Sequence, residues 1–172
     1  ENTPVPTPDD DTPTTLDDGT ATYEVTDAEN GNVTYVAPVN SEASTITIPD
    51  SVIINGATYK ITAIDENAFK NNTVIKKVII GNNVTTIGKN AFLGCKNLKT
   101  VTLSKNITSI SGKAFYGCGK LKTLTIKTNG LTLKNIGKKA FGKTPVNITV
   151  KLPKKNFKVY KSMVIKRGIS KK

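Results

Sequence analysis

From Ile64 onward the apolar positions of this chain follow two nested rhythms. The longer is a phrase, Ile-x-x-x-Ala-Phe, that occurs four times: Ile64 to Phe69, Ile87 to Phe92, Ile110 to Phe115 and Ile136 to Phe141. Its phenylalanines fall 23, 23 and 26 residues apart. The shorter is an alternation by two, in the pairs Val78/Ile80, Val101/Leu103, Leu124/Ile126 and Ile148/Val150. Alternation of this kind marks a strand with one face inward, so Leu98 to Leu103 predicts a short strand with Val101 and Leu103 buried and Thr100 and Thr102 outward. Thr108-Ser109-Ile110 predicts a second strand. Gly88 to Phe92 predicts a tight turn or a single helical turn that carries Phe92 into the core. One such unit cannot bury its own apolar row, but units stacked ~4.8 Å apart can. The pattern therefore predicts a solenoid with a phenylalanine ladder through its interior.

Departures from the period are as informative as the period. Ile46/Ile48 precedes Phe69 by the usual interval plus nine residues, and those nine carry Asn55-Gly56 between apolar stretches, which predicts an inserted hairpin. The 26-residue step holds a three-residue insertion around Asn129-Gly130. Ahead of the repeats, Tyr23 and Val25 alternate with polar residues, Asn30-Gly31 marks a turn, and Val33 and Tyr35 resume the alternation. That predicts an N-terminal hairpin cap over residues 22–44, with repeats over 45–150 and a C-terminal cap over 151–172. Residues 1–21 are rich in Pro, Thr and Asp and read as a disordered tether, because they offer too little apolar surface to offset the cost of ordering.

The phrase IGKNAFLGCKNLKTVTLSKNITSI, residues 87–110, resembles the BspA-type leucine-rich repeat of bacterial surface proteins, and the resemblance extends over roughly residues 45–150. The segment VKLPKKNFKVYKSMVIKRG, residues 150–168, resembles the closing segment that follows such repeats. The resemblance implies a right-handed solenoid, mostly β, with a parallel sheet and short helical turns. It also implies a protein that is secreted or displayed on the bacterial cell surface and binds protein or glycan partners in adhesion. It carries over no catalytic residue.

Composition narrows the chemistry further. Histidine and tryptophan are absent, so no Ser-His-Asp or Cys-His arrangement and no His-based metal site is available. All 13 acidic residues lie between Glu1 and Glu66, and the only basic residue before Lys70 is Lys60, so the net charge of +12 hides an acidic first third and a basic remainder. That remainder has no carboxylate side chain for general acid/base work or for holding Mg²⁺ or Ca²⁺. No enzyme activity and no cofactor is expected. No run approaches the ~18 apolar residues of a membrane-spanning helix.

Four features compete as sites. Gly137 to Thr144, GKKAFGKT, satisfies a phosphate-binding loop pattern, but Pro145 opposes the helix that this chemistry requires and Gly137 occupies the repeat position of Gly88. Cys95 and Cys118 stand 23 residues apart, one repeat. Neighbouring rungs permit a disulfide by distance, whereas parallel side chains on adjacent rungs favour a ladder of buried thiols. Lys76, Lys99 and Lys122 share one repeat position and form a row beside the strands, which reads either as solvated charge or as a stripe for a polyanion such as teichoic acid or an acidic mucin glycan. Lys138, Lys139, Lys151, Lys154, Lys155 and Lys158 add to the basic surface. Thr47, Thr100, Thr102, Thr123 and Thr125 line the outward strand face, where β-branching suits a strand and the hydroxyls offer contacts to a protein or glycan. Asn83 and Asn106 begin two Asn-x-Thr triplets one repeat apart, which read as part of the repeat and not as glycosylation sites. Specific nucleic-acid binding has little support, since four of the five phenylalanines are assigned to the core.

Overall fold

The computed structural model describes residues 14–40, 42–145, 147–154 and 157–169. In chain order its elements are β1 (Thr15–Asp17), β2 (Ala21–Asp27), β3 (Asn32–Pro38), β4 (Thr45–Ile48), β5 (Ser51–Ile54), β6 (Ala57–Ile64), β7 (Lys77–Ile80), β8 (Thr86–Ile87), β9 (Thr100–Leu103), β10 (Ser109–Ile110), β11 (Thr123–Ile126), β12 (Thr149–Lys151) and α1 (Phe157–Lys166). They form two walls. One is a five-stranded sheet in the order β12-β11-β9-β7-β4, parallel throughout. The other runs β1-β2-β3-β6-β8-β10, with β5 also paired to β6. The turns that begin with β4, β7 and β9 each give strands to both walls, whereas the turn that begins with β11 gives the second wall only a bridge from Ile136 to Ile110.

Stacking is fixed by hydrogen bonds from rung to rung as well as by burial. The Phe69 N–H donates to the Ala91 carbonyl, that of Phe92 to Ala114 and that of Phe115 to Ala140, at 2.7 to 2.8 Å. The rings stack at centroid distances of 4.9 Å (Phe69–Phe92), 5.0 Å (Phe92–Phe115) and 5.6 Å (Phe115–Phe141), within 5° of parallel. Tyr35 extends the ladder upward, 5.3 Å from Phe69. The hairpin cap is thus joined to the core through the same aromatic column. Asn55-Gly56 turns β5 into β6 with both residues at positive φ, as the inserted hairpin requires. The insertion at Asn129-Gly130 is tied down by Thr128, whose hydroxyl donates to the Ile107 carbonyl and accepts the Gly130 N–H.

Three expectations change. Residues 14–21 are not tether: β1 pairs antiparallel with β2, and the Asp18 carboxylate accepts hydrogen bonds from the backbone N–H groups of Thr20 and Ala21 and from the hydroxyls of Thr20 and Tyr23. Polar contacts order what apolar burial alone does not. Residues 1–13 lie outside the described residues. The last strand pair is displaced by two: Leu124 faces Val150, not Ile148, because the 26-residue step carries through to the strand. The C-terminal cap contains a ten-residue helix, α1, which buries Tyr160, Met163 and Val164 against the last turn. The Arg167 carbonyl after it accepts the Phe141 N–H, so the helix end supplies the rung that the ladder otherwise lacks.

Candidate functional site

Side chains that leave the five-stranded sheet on its outer side form two rows in strict register. One runs Thr45, Lys77, Thr100, Thr123, Thr149, and the other Thr47, Ile79, Thr102, Thr125, Lys151. Thr100, Thr102, Thr123 and Thr125 are half-buried by their neighbours, whereas Thr45, Thr47, Lys77, Thr149 and Lys151 at the two ends are exposed. The structure thus brings the expected threonines together and adds Thr45, Lys77, Ile79, Thr149 and Lys151 to the same surface. Alternation alone was sufficient to place the added ones, once the register of β4, β7 and β12 was known.

Threonines on the two walls use their hydroxyls differently. On the β6-β8-β10 wall, Thr62 donates to the Val33 carbonyl, Thr85 to Thr62 and Thr108 to Thr85, so each hydroxyl binds the rung before it. Among the described residues, the hydroxyls on the outer rows of the five-stranded sheet make no such bond. They remain donors and acceptors for something outside the chain. Asn83 and Asn106 are structural by the same criterion: their side-chain amides donate to the carbonyls of Asp50 and Asn82.

Lys76, Lys99 and Lys122 stand one residue before the strands, and all three are exposed. The Lys99 N–H donates to the Lys76 carbonyl and the Lys122 N–H to the Lys99 carbonyl, both at 2.8 Å, which sets the three on successive rungs. Lys120 joins them: its Nζ donates to Asn97 Oδ1 at 2.8 Å. Lys155 lies outside the described residues. Of the carboxylates, Asp27 is bound to Asn30 and Asn32, and Asp50 to Asn82.

The cysteines are buried, free thiols. Cys95 Sγ donates to the Phe69 carbonyl and Cys118 Sγ to the Phe92 carbonyl, so each sulfur points to the rung before it and not to its partner. Burial pushes the Cys95 thiol up to about 12 and raises that of Cys118 further, which removes both from thiolate chemistry. The phosphate-loop pattern is likewise structural. Phe141 is inside the ladder, Thr144 bonds back to the Phe141 carbonyl, and a Cβ on Gly137 would lie 2.6 Å from the Ser111 carbonyl carbon. Among the described residues no group of three or more potential metal ligands converges, and no helix is long and apolar enough to cross a membrane.

Stacked parallel rungs with a buried aromatic column and capped ends define a solenoid repeat protein. The profile of the BspA type leucine rich repeat region matches residues 39–167 in six copies, and the chain belongs to that family. A leucine-rich repeat protein from Bacteroides capillosus is 28% identical, with a TM-score of 0.68 over 81% of this chain and 98% of its own. A leucine-rich cell surface protein from Faecalibacterium prausnitzii is 26% identical, with a TM-score of 0.65 over 83% of this chain. A leucine-rich repeat protein from Bacteroides ovatus is 25% identical, with a TM-score of 0.65 over 77%. The chain spans only 44% and 36% of these last two proteins. None of the curated proteins matches the sequence. Family and relatives place the chain among the bacterial leucine-rich repeat proteins, of which the Faecalibacterium prausnitzii relative is a cell surface protein.

Proposed function

We propose that the chain is an adhesion-type recognition module that binds a protein or glycan partner through the outer rows of its five-stranded sheet. The observation that carries this reading is the contrast between the walls. Threonines on one wall bond the preceding rung, and those on the other leave their hydroxyls uncommitted on four of the five rungs. A second reading, an electrostatic binder of polyanions, is favoured by the Lys76, Lys99, Lys122 row and by a chain with no carboxylate side chain after Glu66. The test is a binding screen over host proteins, glycans and cell-wall polymers at about 0.15 M salt, followed by a salt titration of each hit. A ligand of the sheet rows holds its affinity as salt rises. A polyanion loses it steeply, because each neutralised charge releases counterions. Hits that compete with none of the sheet-row residues would refute the first reading.

A further inference from the structure

The last rung of the five-stranded sheet breaks the repeat at one apolar position, and a groove lies at the break. Ile75, Leu98 and Leu121 occupy equivalent places and are fully buried. The next residue in that column is Asn147, which is exposed, and the lysine row ends one residue later at Ile148. Gly119, on the same wall, has no side chain, and a Cβ there would meet nothing within 4 Å. The result is a groove of about 700 Å³ along Lys99, Gly119, Lys120, Lys122, Asn147 and Thr149. Its size falls within the ~300–1,000 Å³ of small-ligand sites. Lys76, one rung beyond Lys99, does not line it.

Charge and hydrogen-bonding capacity converge there. Three lysines, Lys99, Lys120 and Lys122, line the groove on a part of the chain with no carboxylate side chain to neutralise them. Lys120 is held by Asn97 and keeps two of its three N–H donors for a ligand. An amide and two hydroxyls line it as well, from Asn147, Thr123 and Thr149. Among the described residues no aromatic side chain lines the groove, so recognition there rests on charge and hydrogen bonds.

We propose that this groove is a subsite for an acidic oligosaccharide, whose carboxylate or sulfate groups lie on Lys99, Lys120 and Lys122 and whose hydroxyls bond Asn147 and Thr149. It deepens the polyanion reading, replacing a stripe along the whole molecule with one place near its C-terminal end.

The test uses calorimetric titration with a heparin tetrasaccharide and two substitutions of equal charge. Gly119→Glu sets a carboxylate in the groove at a position with open space and an ordinary backbone, and Ser162→Glu adds the same charge on exposed α1. Gly119→Glu should weaken binding about tenfold or more, and Ser162→Glu by less than about twofold. Equal losses would overturn the site, since net charge alone would then drive binding. If Gly119→Glu lowers the melting temperature, Lys99→Gln/Lys120→Gln/Lys122→Gln against Lys158→Gln/Lys161→Gln/Lys166→Gln repeats the comparison. A desulfated, carboxylate-only tetrasaccharide that binds with the same pattern assigns the uronate as the recognised anion, and one that fails assigns the sulfate. A glutamate peptide of equal charge that binds as tightly would overturn the glycan assignment. Thr123 and Thr149 belong to both surfaces, so the readings separate at Thr102 and Thr125: heparin sensitive to Gly119→Glu while no ligand is sensitive to Thr102→Arg/Thr125→Arg removes the sheet reading alone, and the reverse removes the groove alone.

Discussion

Replacement of Phe92 by alanine removes a ring from the middle of the aromatic column. Phe92 is 0% exposed and stacks on Phe69 at 4.9 Å and on Phe115 at 5.0 Å. Burial and the cavity left by a buried phenylalanine together cost ~3–5 kcal/mol. Two aromatic pairs are lost as well, each worth ~0.5–1.5 kcal/mol beyond its buried area, which puts Phe92→Ala at the upper end of that range. For a domain of this size 1 kcal/mol shifts the melting temperature by ~2–4 °C, so Phe92→Ala should melt ~10–15 °C below the parent. Phe115→Ala should behave alike, since its two partners lie at 5.0 and 5.6 Å. Calorimetric melts of both variants are the assay. A loss below about 3 °C in both would show that the column is not the core, and would refute the register drawn from it.

Other outcomes follow from single residues. Cys95 and Cys118 should resist a thiol reagent until the chain unfolds and then react as two free thiols by mass, and a mass two hydrogens lighter would show a disulfide. Lys113 sits at φ +57° where the equivalent residues of the previous turns are Asn90 and Asn67, whose side chains bond each other at 3.3 Å. Lys113→Asn should relieve part of a left-handed strain of ~1–2 kcal/mol and raise the melting temperature by a few degrees, and a drop would contradict this. Burial by itself raises the Asp18 carboxyl, but its bonds from Thr20, Ala21 and Tyr23 outweigh that and hold it below its ordinary value. The folded carboxyl therefore titrates lower than the unfolded one. Its stabilisation is complete above the unfolded value near ~4 and is lost as pH falls through the folded value. In an acid titration the Tyr23 ring resonances should move with this step, and Asp18→Asn should abolish it.

How much of this was legible beforehand depended on whether a residue repeats. Phe69, Phe92, Phe115 and Phe141 recur in register, so the column, the strands beside it and the outward Thr100, Thr102, Thr123 and Thr125 could be read from spacing alone. The ends could not. β1 has one apolar residue, Leu16, and is held by the polar turn around Asp18, which looks like a solvated segment by composition. In α1 the spacing of Tyr160, Met163 and Val164 is helical, but it is short and embedded in lysines. The site was half visible. Lys76, Lys99 and Lys122 share a column, whereas Lys120 belongs to a different one and enters through Asn97, exactly one repeat before it. The groove itself arises from a failure of the pattern, Asn147 in place of a leucine, and a period search passes over such a break.

Binding through the outer rows of the five-stranded sheet is tested most directly by two pairs of substitutions. Thr102→Arg/Thr125→Arg crowds the middle of those rows, and Ser51→Arg/Thr58→Arg adds the same bulk and charge on the exposed β5–β6 hairpin. Affinity for a salt-resistant ligand from the screen should be measured against both variants, with melting temperatures to confirm that each is folded. The account predicts a loss of about tenfold or more for the sheet pair and less than about twofold for the hairpin pair. Full affinity in the sheet pair, with loss in the hairpin pair, would contradict it.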